Sequence, residues 1–146
     1  MSVPKSKQNI NEKDKEKNEP LQIIKLSGEL TDYTLSTVTN EKHFPKRYRW
    51  CLASKILDKA IMIDDYINLA NAVYVRPGDG SKNRRLSYIQ RAIEMTFPLL
   101  KNIERANYRF GSGSFNIEHW TGVIYNLQGR LRKWYESESK RYKDVK

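Results

Sequence analysis

Arginine and lysine are the side chains in this sequence with the numbers and spacing to do chemistry, and that chemistry is contact with phosphate. Between Ser81 and Arg109, seven basic residues stand against two acidic ones. Arg84, Arg91 and Arg105 differ by multiples of seven, and Lys101, Arg105 and Arg109 by four, so on a helix they share one stripe with Arg85 beside it. A second group, Lys46, Arg47 and Arg49, is interleaved with aromatics in the run FPKRYRW. A third, Arg130, Arg132 and Lys133, is followed by Lys140 and Arg141. Taken singly, each cation reads as a solvated surface residue. Taken together they read as a phosphate-contacting surface, because arginine dominates the first two groups and its planar fork suits phosphate better than an ammonium does. The KRYRW mix could also stack an unpaired base, although covering a helix start is the commoner use of such aromatics. Nothing matches a base-reading module, so contact with backbone and not with sequence is expected.

The whole chain agrees with this. Its 146 residues hold 27 Lys and Arg against 17 Asp and Glu, a formal charge of +10 and a pI near 9.7, which favours polyanionic partners, RNA or DNA before anionic lipid. Enzymatic alternatives lack their parts. There is no phosphate-binding GxxxxGK[ST] loop and no nucleophile elbow. Asp58, Asp64 and Asp65 lack the Glu-x-x-His pairs of di-metal bundles, and His43 and His119 lie on different elements. Cys51, the one cysteine, rules out an intrachain disulfide and reads as a small buried hydrophobe near a helix start. A non-enzyme with no metal and no cofactor is expected. RRLS at 84–87 matches a kinase target, though so short a match is weak. The first residues lack the apolar run of a signal peptide and no run of about 18 apolar residues exists, so a cytoplasmic protein with no membrane segment is expected.

Four amphipathic segments must position these cations. Ile23, Leu26, Leu30 and Tyr33 step by three, four and three, predicting a helix over 21–39. Pro45 marks a helix start, and Leu52, Ile56, Ala60, Ile63, Ile67, Ala70 and Tyr74 line one side of the segment that follows, widened by Leu57, Ile61 and Val73. The run VRPGDGSKN is a connection. A third helix carries Leu86, Ile89, Ile93, Phe97, Leu100, Ile103 and Tyr108 inward and should bend, not break, at Pro98. After GSGS, with Ser114 or Asn116 as cap, Ile117, Trp120, Ile124, Leu127, Leu131 and Trp134 form the cleanest stripe. An all-α, antiparallel up-down four-helix bundle over 21–136 follows, with a mobile polar tail at 1–20 and a fraying polar tail at 137–146. Gly122 and Gly129, one heptad apart, with Trp120 and Trp134, predict close packing against another helix or another subunit.

The order of these landmarks resembles a family. FPKRYRW leading into a long helix ending in LANA, then RRLSYI, then EHWTGVIYNLQGRLRKWYE, is similar to the bacterial four-helix-bundle family of the accessory variability determinant proteins of diversity-generating retroelements. That family also includes small proteins encoded within intervening sequences of bacterial 23S ribosomal RNA genes. The resemblance spans about 21–136 and rests on pairing Phe44, Pro45 and Lys46 with Glu118, Gly129, Leu131 and Trp134. It implies a basic, barrel-like homo-oligomer, pentameric in the accessory proteins, that associates with a reverse transcriptase and with RNA or DNA to support mutagenic copying. The ribosomal-insert branch implies instead a structural or protein-docking role. The polar N-terminal tail and the long RPGDG connection depart from the family pattern.

Overall fold

The computed structural model describes residues 5–146, with side chains from Glu19 onward. Four α-helices make up the described fold: α1 at Lys5–Val38, α2 at Ser54–Ala72, α3 at Ser81–Phe110 and α4 at Ile117–Arg141. Helices consecutive in sequence pack on one another, and α4 closes the ring against α1. Cross-links between them run in opposite senses. Thr34 meets Trp120 while Gln22 meets Arg130, and Thr96 meets Gln128 while Arg85 meets Glu138, so neighbouring helices are antiparallel.

The core follows the heptad-like stripes. Ile23 and Leu30, Ile56 to Ala70 at three- and four-residue steps, Ile89 to Ile103, and Trp120, Ile124, Leu127, Leu131 and Trp134 are all buried. Three expectations give way at the edges of the stripes. Tyr74 is exposed because α2 has ended and the chain is extended from Val73, while exposed Tyr108 and half-exposed Phe97 lie where the regular 3.6-residue turn has carried the stripe off the core side. Trp120 and Trp134, expected to pack against another helix or another subunit, pack inside the single chain. Gly122 and Gly129 lie on the outer side of α4, and a Cβ added at either would meet nothing within 4 Å, so among the described residues no helix approaches them.

The ends of the helices also differ from expectation. α1 starts at Lys5, within the stretch expected to be a mobile tail, and runs through Pro20; residues 1–4 lie outside the described residues. Lys, Glu and Gln are good helix formers, a preference that overall polarity conceals. α4 continues to Arg141, past the boundary expected at 136, because Glu138 is drawn into the interior. The last residues then fold back: the Gly78 amide donates to the Lys146 carbonyl at 2.8 Å, and Lys82 Nζ reaches the carbonyls of Lys143 and Val145. Pro98 sits inside one continuous α3, and Asn116 caps α4 by accepting from the His119 amide at 3.0 Å.

The start of the second helical segment is built in three stages. Pro45 precedes a 3-10 turn at Lys46–Tyr48, which passes into a π-helical turn at Arg49–Ala53 before regular α2 begins. The wider turn takes up one extra residue. Leu52 and Ala53 reach the core while Trp50 and Cys51 remain outside, so Cys51 is an exposed thiol and not the buried hydrophobe its position suggested.

Candidate nucleic-acid interface

Charge is divided between the two halves of the bundle. From Glu19 onward α1 has Lys25 against Glu19, Glu29 and Asp32, and α2 has Lys55 and Lys59 against Asp58, Asp64 and Asp65. α3 has seven basic residues against Glu94 and Glu104, and α4 has five against Glu118, Glu136 and Glu138. The cationic surplus of the described helices is therefore carried by α3 and α4. The exposed large aliphatic side chains lie on the other half, Leu21 and Leu35 on α1 and Ile61, Met62 and Leu69 on α2, whereas α3 and α4 expose the aromatics Phe97, Tyr108 and Tyr125.

Along α3 the structure keeps the predicted stripe. Arg84, Arg91, Lys101, Arg105 and Arg109 are exposed, and among the described residues none of them takes part in an ion pair. Glu94 lies between Arg91 and Lys101, the one acid on that line. At its far end the stripe meets the second group. Arg109 Nε donates to the Tyr48 hydroxyl at 3.0 Å, and the guanidinium carbons of Arg109 and Arg47 lie 5.8 Å and 5.0 Å from the Tyr48 ring centre. The Arg109 hydrogen bond lowers the Tyr48 phenol below its ordinary pKa, with the positive charges of Arg109 and Arg47 adding to the effect. Lys46, Arg47 and Arg49 are exposed beside it.

From α4, Arg132 joins this surface, its guanidinium 6.0 Å from the ring centre of half-exposed Phe97 on α3. Lys133 is exposed on the same helix. Arg130 points the other way, to Gln22 at 3.3 Å and Glu19 at 3.7 Å on α1.

Arg85 requires a correction. It is 8 % exposed and cannot reach a phosphate in solution. Its Nε and Nη2 hold both oxygens of Glu138 at 3.0 and 3.2 Å, while Nη1 donates to the carbonyls of Ala70 and Val73. Those carbonyls end α2, where the negative end of the helix dipole favours a cation. Trp134 Nε1 donates to Glu138 at 3.2 Å and its ring lies 5.5 Å from the Arg85 guanidinium. Burial of Arg85 also removes one arginine from RRLS, leaving Ser87 exposed behind only Arg84.

The opposite end of the bundle is closed by aromatics. Phe44 packs on Phe110, Phe115 and Trp120 at 5.1, 5.4 and 6.2 Å between ring centres, and Trp120 Nε1 donates to Thr34. His43 Nδ1 lies 2.6 Å from the Ser114 carbonyl, tying the two loops of this end together. His119 sits at 4.9 Å from Tyr33, edge to face.

The acidic residues weighed as metal ligands are placed otherwise. Asp64 accepts from Ser27 at 2.9 Å, and among the described residues no group of three His, Cys, Asp or Glu side chains is close enough to hold a metal ion. No described helix is long and apolar enough to cross a membrane. Comparisons with protein-family models, with curated proteins and with solved structures give no match.

Proposed function

We propose that this protein is a non-catalytic accessory protein that binds RNA or DNA through the basic side of its bundle and works beside a reverse transcriptase, as its resemblance to the retroelement accessory family implies. One observation carries the reading: five exposed cations on α3, unpaired among the described residues, run into the Lys46, Arg47 and Arg49 group through the Arg109 to Tyr48 contact. Cations held by a rigid helix and not neutralised by carboxylates displace counterions from a phosphate backbone, which favours binding at low salt and weakens it steeply as salt rises.

The exposed apolar residues of α1 and α2 support the protein-contact part of this reading. Leu35, Ile61 and Leu69 suit either the polymerase partner or the next copy in a barrel-like homo-oligomer. The same residues favour a second reading, that of a ribosomal-insert protein whose role is docking. A cytoplasmic site of action fits both.

Replacing Arg84, Arg91 and Arg105 together by Glu is the test. Binding of labelled RNA or DNA by the parent protein should fall linearly on a log-log plot against salt, and the triple variant should lose most affinity at low salt. Equal affinity of parent and variant would refute the cationic surface. A partner protein retained after nuclease treatment, with negligible binding to either polymer, would favour docking instead.

A further inference from the structure

We propose that Trp50 is a stacking platform for an unpaired base, so that the basic surface takes single-stranded nucleic acid in preference to duplex. This rests on the phosphate-binding reading above and narrows it. Trp50 is 81 % exposed, whereas Trp120 and Trp134 are buried. Among the described residues its indole has neither a hydrogen-bond partner nor a stacked aromatic neighbour.

A helix-start aromatic that covers the core does not look like this. Tyr48 does so, lying 4.9 Å from Phe110, but Trp50 faces outward because the π-helical turn at Arg49–Ala53 gives the inward positions to Leu52 and Ala53. Ser54 Oγ donates to the Trp50 carbonyl at 2.9 Å and so helps fix the turn that presents the ring. Such turns concentrate at functional sites, where an extra residue re-aims a side chain.

The neighbours specify the occupant. Arg47 and Arg49 both precede the ring in sequence, Arg49 directly, and Arg109 is held close to Arg47 by the shared Tyr48 ring. An exposed aromatic face next to two exposed arginines in the chain suits a base whose own phosphates continue on either side, while an acidic protein would satisfy the charges and leave the indole open. Bases within a duplex are already stacked and offer no face to it.

Intrinsic fluorescence supplies the readout, since the other two tryptophans are buried. Oligouridylate and oligothymidylate should quench the exposed fraction of emission, and Trp50→Ala should abolish that quenching. At fixed salt Trp50→Ala should weaken single-strand binding about five- to a hundredfold, with duplex binding and the salt slope unchanged, and Trp50→Phe should restore most of the loss. The proposal is overturned if Trp50→Ala binds single strands like the parent, if strand and duplex weaken equally, or if sedimentation shows that the substitution separates copies of the chain. Loss of binding in the Arg84, Arg91 and Arg105 variant with none in Trp50→Ala would remove the platform and leave the cationic surface standing. Parent protein that binds neither polymer at low salt would remove both.

Discussion

The two ends of the bundle are closed by different physics. At one end Arg85 and Glu138 form a buried ion pair that also caps α2 and holds the Trp134 indole. At the other, Phe44, Phe110, Phe115 and Trp120 fill the space with rings. An ion pair in a dry interior is all or nothing: it satisfies its members only while both are present. Rings fill volume and contribute in proportion to the area they hide, so their loss is graded. The ionic end should therefore tolerate the loss of both members better than the loss of one, and the aromatic end contributes bulk cohesion while Lys46, Arg47, Arg49 and Trp50 beside it face solvent.

The contrast can be broken experimentally, and the largest effect should come from splitting the pair. Glu138→Ala should cost about 3–5 kcal/mol in urea unfolding, because Arg85 would remain buried with no counter-charge. Replacing both members, Arg85→Met with Glu138→Leu, should cost much less than the single change, and additive costs would contradict the ionic description. At the aromatic end Phe44→Leu should lower stability by about 1–2 kcal/mol, the transfer loss together with the lost ring contacts. The Arg84, Arg91 and Arg105 charge reversal should leave stability within about 0.5 kcal/mol by the same unfolding measurement, since exposed substitutions away from packing have small effects.

The smallest effect is expected near the ionic end, in the connection after α2. The Ser81 hydroxyl and then its amide, 2.9 Å from Oδ1, hold the Asp79 carboxyl below its ordinary pKa. A carboxyl with a lower pKa folded than unfolded contributes stability that is complete above the unfolded value and is lost as pH falls through the folded one. Asp79→Asn should therefore lower thermal stability slightly at neutral pH and flatten its acid-side decline, with the parent and variant converging once the carboxyl is protonated.

What the sequence disclosed follows the same division. Stripes such as Ile56, Ala60, Ile63, Ile67 and Ala70 could be read directly, since burial there depends only on local period. The burial of Arg85 could not, because it depends on a carboxylate 53 residues away. A buried arginine and an exposed one look alike until the partner is placed. Cys51, expected to be buried, is exposed for a different reason. A π-helical turn shifts the phase by one residue, and no residue type announces it. Of the candidate interface, the α3 stripe was visible from spacing alone, whereas its continuation through Tyr48 and the diversion of Arg130 to Glu19 depend on tertiary geometry.

The uneven distribution of charge between α1–α2 and α3–α4 gives the particle an electric dipole across its width. A polyanion's field exerts a torque on such a body before any atoms touch, turning the cationic flank forward and raising the share of collisions that succeed. Added salt should then slow arrival by shortening the distance over which that torque acts. On the proposed reading, a molecule landing in this orientation would leave exposed Leu35 and Ile61, on the less basic half, free for a second contact while the polyanion is held.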